Sequence, residues 1–331
     1  MNNTTLKNLL IEYDKKKIRA EEMAQREKQK IYDEFPALSE IDHKLSSLAL
    51  STMKELTLNQ NEKLLKDFNQ KIEELKKEKE KILASIGDRA QLMQPQYECK
   101  KCKDTGYILD GNSTKMCNCL TQKIYDIEYN KSNIHNLEKQ NFKNFNINLY
   151  STKIDSQKYE SDISPRENME LILKICKDFI QYFGDVEEKN LLFTGKTGLG
   201  KTFLSSCIAN ELLKQGKTVL YQTASVMLDT IIGYRFGKPN ISSDIYDHLL
   251  NVDLLIIDDL GTEGVNNMKL VELFNIINSR LLNTHKSTKT IISTNLSLQS
   301  LFETYDERIV SRLVGNYHIC YFFGEDIRFI Q

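Results

Sequence analysis

The sequence predicts an α/β fold whose C-terminal half is a parallel β-sheet covered by helices. From Pro165 onward, short apolar runs alternate with amphipathic helical segments, as parallel strands joined by crossover helices require. In addition, a glycine-rich loop stands between the first of these runs and the helix that follows it. The strand-like runs read NLLFT, TVLYQ, DLLIID, KTIIST and HICYFFG.

Composition and charge narrow the class of protein. The chain has 331 residues, enough for two or three domains, and 40% of them are hydrophobic. Its formal net charge is -1, so any contact with nucleic acid must use a local basic patch. No apolar run reaches the length of about 18 residues that a membrane helix needs, and the N-terminal sequence lacks the apolar core of a signal peptide. We therefore expect a cytoplasmic protein with no membrane partner.

Residues 1–94 are rich in Lys, Glu, Gln and Leu and predict a helical N-terminal region. Part of this region follows a heptad seam that Lys79 interrupts. The pattern fits a helical bundle with a solvated charged face, and it fits equally a helix pair that docks a partner. The apolar seam positions are Leu65, Phe68, Ile72, Leu75 and Ile82.

Residues 95–125 contain four closely spaced cysteines and predict a small metal-binding module. Cys99 and Cys102 form one pair, Cys117 and Cys119 form a second, and 14 residues separate the pairs. Four thiolates in a reducing compartment favour a closed, structural Zn²⁺ site. A redox dithiol or an iron–sulfur cluster is the alternative. Residues 126–165 are then expected to be a linker.

The loop G-x-x-x-x-G-K-T fits the phosphate-binding motif at each fixed position, between a strand and a helix. Its backbone N–H groups and the helix N-terminus would bind the phosphates of ATP. Lys201 would reach the β- and γ-phosphates, and Thr202 would ligate Mg²⁺. The predicted cofactor-binding residues are Gly195, Lys196, Thr197, Gly198, Leu199, Gly200, Lys201 and Thr202.

Two other strands end in polar residues that the reaction needs. The run LLII ends in Asp258 and Asp259, the first placed to hold Mg²⁺ and the second to orient the attacking water. Glu263 lies close by in the sequence and is a rival for the second role. The run TIIST ends in Asn295, whose amide would contact the γ-phosphate or the water.

Taken in order, GKTGLGKT, LLIIDDLG, TIISTN and DERIVSRL resemble the motifs of AAA+ ATPases. The segments NFKNFN and SPRENMELILKICKDFI and the cysteine module are similar to those of bacterial replicative-helicase loaders of the DnaC/DnaI type. The resemblance covers roughly residue 95 to the end. It implies an AAA+ ATPase core over residues 166–331.

The resemblance also implies roles for arginines. Arg312 matches the arginine finger that reaches into a neighbouring protomer's ATP site, with Arg308 as the rival one turn earlier on the predicted helix. Arg328 matches the second sensor of these proteins. Only 36 residues follow Asn295, so we expect no C-terminal helical lid, and we expect self-association through the ATP site.

The segment SVMLDTIIGYRFGKPN is the candidate nucleic-acid surface. Tyr234, Arg235, Phe236 and Lys238 interleave aromatic rings with positive charges, a combination that can stack on bases and follow phosphates. The resemblance places this part of the chain toward single-stranded DNA. An ordinary helix and loop with core aromatics is the alternative.

Together these features predict an ATP-dependent loader of the hexameric replicative helicase onto single-stranded DNA. The expected reaction is hydrolysis of ATP to ADP and phosphate. An IstB-like transposition helper ATPase has nearly the same core motifs, although that branch usually lacks the cysteine module. An adaptor that binds ATP without hydrolysing it is disfavoured by Thr202, Asp258, Asn295 and Arg312. A small-molecule kinase is disfavoured because no acceptor-binding segment is visible.

Overall fold

A computed structural model describes residues 3–58, 62–128, 139–238, 244–264, 266–283 and 286–329. Two compact units make up the chain. One is Asn8–Lys115, and the other combines Met1–Lys7 with Met116–Gln331. Among the described residues, no helix has both the length and the apolar content needed to cross a membrane.

The N-terminal region is helical, as the sequence predicts. Pro36 occupies the first turn of the second helix, where its missing N–H costs nothing, and Ile31, Leu38 and Ile41 are buried around this corner. A short 3-10 segment, Gly87–Met93, follows the third helix. The helices are α1 (Asn3–Glu34), α2 (Pro36–Leu58) and α3 (Glu62–Ile86).

Lys79, which interrupts the apolar seam of α3, has a specific partner. Its Nζ lies 2.6 Å from Oδ1 of Asp42 on α2, and the hydroxyl of Tyr32 on α1 donates to the other oxygen of the same carboxylate. The side chains of Lys79 and Asp42 are 31% and 22% exposed, so the pair is partly shielded from water. The lysine therefore ties three helices together at one point of the bundle.

A hairpin and a helix form the cysteine module. Strands β1 (Tyr107–Asp110) and β2 (Ser113–Met116) pair in a two-stranded sheet, and helix α4 (Asn118–Glu128) begins two residues after β2. Gly106 and Gly111 have φ values of 76° and 59°, the left-handed conformation that glycine adopts without strain. A small two-stranded ribbon therefore lies between the two cysteine pairs.

The C-terminal unit is built on a five-stranded sheet in the order β4-β5-β6-β3-β7. All pairings within this sheet are parallel, with Leu192 of β3 opposite Ile292 of β6 and Ile319 of β7. The predicted α/β fold class and each of the strand-like runs are thus confirmed. The strands are β3 (Asn190–Gly195), β4 (Val219–Thr223), β5 (Leu254–Leu260), β6 (Lys289–Thr294) and β7 (Tyr317–Phe322).

Apolar residues on both faces of this sheet are buried under helices. Leu192 belongs to one buried cluster, whereas its neighbours Leu191 and Phe193 belong to the other, because successive side chains of a strand point to opposite faces. The helices are α5 (Ser156–Tyr159), α6 (Pro165–Gln181), α7 (Lys201–Lys214), α8 (Ala224–Arg235), α9 (Ile245–Asn251), α10 (Asn267–Leu281), α11 (Leu298–Thr304) and α12 (Glu307–Asn316).

The strand order places the functional residues at one edge of the sheet. The phosphate loop follows β3 and the acidic pair lies near the carboxyl end of β5. Asn295 follows β6, which lies between those two strands. Since all pairings in the sheet are parallel, their carboxyl ends meet at the same edge, where ligands of open α/β sheets bind.

Candidate nucleotide-binding site

The phosphate loop needs glycine because other chain segments approach it closely. Gly195, Gly198 and Gly200 have φ values of 141°, 76° and 93°. A methyl group on Gly195 would overlap the carbonyl of Phe322, and one on Gly200 would lie 2.6 Å from the hydroxyl of Tyr150. The loop backbone is therefore held in its conformation by contacts that a larger residue would break.

Lys201 is buried at the start of α7, with only 5% of its surface exposed. Its Nζ donates to the carbonyl oxygens of Gly195 and Lys196 at 2.6 and 2.7 Å. It also donates to Oδ1 of Asn295 at 2.8 Å. Burial lowers the pKa of the ammonium to about 8, against the opposing pull of the Asp259 and Asp258 charges.

Asp258 is also buried, and its carboxylate accepts several hydrogen bonds. The hydroxyl of Tyr221 donates to Oδ2 at 2.6 Å and that of Thr202 at 3.2 Å, and the hydroxyl of Ser293 donates to Oδ1. A hydroxyl and a carboxylate at this separation are two hard oxygen donors of the type that Mg²⁺ prefers. Thr202 and Asp258 therefore fit the predicted magnesium site.

Asp259 has a backbone conformation that the sequence did not suggest. Its φ is 54°, and the pairing of β5 with β6 shifts register between Ile257 and Leu260. This bulge makes the half-buried Asp259 side chain part of the cleft wall. Burial and then the neighbouring Asp258 charge raise the pKa of Asp259 above its usual value.

Glu263, the rival of Asp259, is directed into the protein. The hydroxyl of Tyr305 donates to Oε1 of Glu263, and the backbone N–H of Gly261 donates to Oε2 at 2.9 Å. The residue is 4% exposed and is absent from the described lining of the nucleotide cleft. The geometry therefore favours Asp259 for a role toward water.

The phosphate loop and the polar residues at the ends of β5 and β6 surround a cleft of about 410 Å³. It brings together the loop from Thr197 to Thr202 with Asp259, Asn295 and Arg328. Three other lining residues were missed by sequence reasoning, namely Gln140, Phe203 and Ile327. Phe203 directly follows the motif and could have been suspected. The other two come from distant segments and carry no motif of their own.

The segment after β7 packs on the phosphate loop. The backbone N–H of Ile327 donates to the carbonyl of Gly198 at 3.0 Å, and a methyl group on Gly198 would overlap the Asp326 carboxylate. That carboxylate pairs with Arg328, whose Nε lies 2.9 Å from Oδ1. The arginine predicted as a sensor thus lines the cleft and has an acidic partner.

Arg308 and Arg312 lie elsewhere, on α12. Neither is among the described lining residues of the cleft, and both stack on Phe274 of α10. The structure therefore does not bring either arginine to the described cleft of its own chain.

The candidate nucleic-acid residues lie at the C-terminal end of α8 and just beyond it. Phe236 is 68% exposed and Tyr234 is 36% exposed, and Lys238 is also exposed. Arg235 differs, because its Nε pairs with Oε1 of Glu272 at 3.0 Å and its charge is already compensated. Among the four candidate residues, the groups left to contact a nucleic acid are therefore the rings of Tyr234 and Phe236 and the ammonium group of Lys238.

The four cysteines of the predicted metal module are brought together. The sulfur atoms of Cys99, Cys102, Cys117 and Cys119 lie within 4.8 Å of one another. The Asp104 carboxylate accepts the backbone N–H of Cys99 at 2.8 Å, which fixes the turn that carries the first pair. A tetrahedral Zn²⁺ ion with four thiolate ligands fits this arrangement.

A phosphate loop, an acidic strand end and a polar strand end around one cleft define a P-loop nucleotide-binding fold. The chain belongs to the family described as IstB-like ATP binding proteins, whose profile matches residues 138–329.

Several curated relatives carry the name replicative helicase loader DnaC. The chain is 30% identical over 147 residues to the replicative helicase loader DnaC of Buchnera aphidicola subsp. Acyrthosiphon pisum (strain APS), covering 44% of this chain and 58% of that one. It is 28% identical over 145 residues to the DnaC of Escherichia coli (strain K12), with the same coverage. The chain thus spans under two thirds of the length of these curated relatives. The comparison therefore confirms that this chain is similar to replicative helicase loaders, as its motifs predict.

A solved structure titled as the DnaC helicase loader aligns with a TM-score of 0.42 and 23% identity, covering 54% of this chain and 96% of that one.

Proposed function

We propose that this protein is an ATP-driven loader that places a hexameric replicative helicase on single-stranded DNA during replication initiation or restart. The observation that carries the proposal is the cleft, in which Lys201, Asp259 and Asn295 converge beside the Thr202–Asp258 pair. The similarity to DnaC relatives supports the loading role.

In the proposed site, the phosphate loop and Lys201 bind the β- and γ-phosphates of ATP. Mg²⁺, held by Thr202 and Asp258, would neutralise phosphate charge when bound. Because Oδ1 of Asn295 accepts from Lys201, its Nδ2 group is the end left to donate to the γ-phosphate. Asp259 accepts a hydrogen bond from the attacking water. The water oxygen bonds to the γ-phosphorus and gives up a proton, which passes by way of Asp259 to an oxygen of the phosphate product. The bond between the γ-phosphorus and the oxygen that bridges to the β-phosphate breaks, and ADP and phosphate leave.

The remaining regions are assigned to partners. The helical region 1–94 and the zinc module 95–125 would bind the helicase, and residues 126–165 would link them to the ATPase core, 166–331. Tyr234, Phe236 and Lys238 would contact single-stranded DNA, with Arg235 contributing to the local structure through Glu272. Zn²⁺ would stabilise the module without taking part in hydrolysis, because four thiolates leave no open coordination position.

Capture of the helicase tests the loading role. The full-length chain is immobilised and exposed to the purified hexameric helicase of its host, without nucleotide, with ATP and Mg²⁺, and with a non-hydrolysable ATP analogue. We expect retention in at least one nucleotide state. Absence of retention in every state would reject the loading role.

A transposition helper ATPase is the second candidate. It is favoured by the description of the matching family as IstB-like. In that case the chain binds ATP and fails to retain the helicase, so nucleotide binding measured beside helicase capture separates the two candidates.

A further inference from the structure

Arg308 and Arg312 of α12 share one aromatic platform on α10. Their Cζ atoms lie 5.1 and 4.6 Å from the centre of the Phe274 ring. A guanidinium at this distance is attracted by the electrons of the ring face and loses part of its rotational freedom. The platform therefore restrains both cations without neutralising either.

The two arginines differ in what else they bind. Arg308 donates from Nε and Nη2 to the two oxygens of Asp306, at 2.8 and 3.0 Å, so its charge is compensated by a carboxylate. Arg312 donates from Nε to Oδ1 of Asn278 at 2.7 Å and from Nη1 to the backbone carbonyl of Arg308 at 3.1 Å. Both of these partners are neutral.

We infer that Asn278 and Phe274 are positioning residues that hold Arg312 as a fixed, uncompensated cation, while Asp306 withdraws Arg308 from the same task. The inference rests on the proposed function, in which one protomer's arginine meets the γ-phosphate bound by its neighbour. Within the part of the chain that the structure describes, the recorded bonds use Nε and Nη1 of Arg312. Both N–H groups of Nη2 and the second N–H of Nη1 are left for phosphate oxygens.

The proposed contact between Arg312 and the γ-phosphate depends on both the position and the charge of the guanidinium. An arginine that stabilises the charge of the transferred phosphoryl group is worth about 10³–10⁵ in rate. A displacement of about 1 Å of such a group can cost on the order of 100-fold. The neutral amide of Asn278 fixes the guanidinium and leaves its charge uncompensated. A carboxylate at the same place would fix the guanidinium and also compensate its charge.

Mixing two variants isolates this role from the protomer's own ATP cleft. Arg312→Ala keeps an intact cleft and lacks the arginine, and Lys201→Ala keeps the arginine and has a disabled cleft. Steady-state ATP hydrolysis with Mg²⁺ is measured for each full-length chain alone and for equal mixtures. We expect little activity from either alone and recovery in the mixture.

The decisive mixture replaces the arginine donor by Lys201→Ala/Asn278→Ala. We expect its recovered kcat to fall at least about tenfold, with KM for ATP unchanged because the cleft in use belongs to the other chain. The matched control donor is Lys201→Ala/Asn267→Ala, since Asn267 is an exposed residue of the same helix. This control donor should restore activity fully.

The outcomes distinguish the positioning role of Asn278 from the proposed ATPase function of the chain. Equal recovery with the Asn278→Ala and Asn267→Ala donors would overturn the positioning role while leaving the ATPase intact. If no mixture recovers activity, the finger does not act between protomers and the inference falls. Calorimetric ATP binding by the unchanged chain then reports separately whether the nucleotide site itself exists.

A second donor tests the charge argument. Lys201→Ala/Asn278→Asp retains an oxygen acceptor for Nε of Arg312 and adds a negative charge beside it. We expect its recovered kcat to fall as for Asn278→Ala, since Arg312 would then be compensated like Arg308. Full recovery with this donor would contradict the requirement for a neutral partner.

Discussion

At the residue scale, burial determines the protonation behaviour of Lys201. The ammonium is almost fully enclosed, and its pKa of about 8 is well below the usual 10.5 of a lysine. A bound triphosphate favours the charged form, because its negative oxygens compensate the desolvated ammonium. Nucleotide binding must then be coupled to protonation of this one side chain.

This coupling predicts the pH dependence of ATP affinity. Below about pH 8 the lysine is already charged and its contribution to the affinity is constant. Above that pH, ATP binding must take up a proton, so affinity should fall by up to about tenfold per pH unit until the usual lysine pKa is approached. Calorimetry at pH 9 in buffers of different ionisation enthalpy should show proton uptake, and at pH 7 none from this group. Equal uptake at both values would contradict the assignment.

At the scale of elements, the segment that follows β7 and the phosphate loop fit only because residue 198 is glycine. Gly198→Ala would put a methyl group into the Asp326 carboxylate at a φ of 76°, displacing the segment that carries Arg328. We expect ATP affinity to fall at least about tenfold, since both loop and segment line the cleft. Fluorescence titration with a labelled ATP analogue measures the loss.

Gly184→Ala is the matched control for this substitution, because it adds the same methyl group in open space outside the phosphate loop. Its affinity should equal that of the unchanged chain. Similar losses in both variants would show that the close contact with Asp326 is unimportant.

The strands were predictable because each is a short apolar run bounded by polar residues, and so was the phosphate loop, whose spacing is a local motif. The environment of Glu263 was not predictable, because its partner Tyr305 is 42 residues away in the chain. The same holds for the pairing of Arg235 with Glu272, and for the bulge that makes Asp259 part of the cleft wall. The local sequence pattern therefore specifies the strands and the phosphate loop. Contacts between residues far apart in the chain decide which side chains are free to contact a ligand.

At the scale of the whole molecule, the cysteine module and the nucleotide cleft use separate sets of residues. We predict about one zinc ion per purified chain, measured by mass spectrometry of the metal, and its loss in Cys102→Ser, because four thiolates are needed to close the site. Cys207→Ala is the control, since Cys207 is buried in α7 and should leave the zinc content unchanged.

The same zinc-depleted chain should still bind ATP with about the same affinity, because the described lining of the cleft contains none of the four cysteines. Zinc content that is unaffected by Cys102→Ser would reject the metal assignment. A large loss of ATP affinity on zinc removal would show instead that the two sites depend on each other.

The hydrogen bonds of Lys201 affect how a nucleotide can enter the cleft. An ammonium group carries three donors, and each already has an oxygen partner within the protein, two of them in the loop and one on Asn295. Arrival of a nucleotide is therefore an exchange of partners. If the bond to Asn295 is the one released, its Oδ1 needs a new donor, and the side chain after β6 would then change its hydrogen bonding when nucleotide binds.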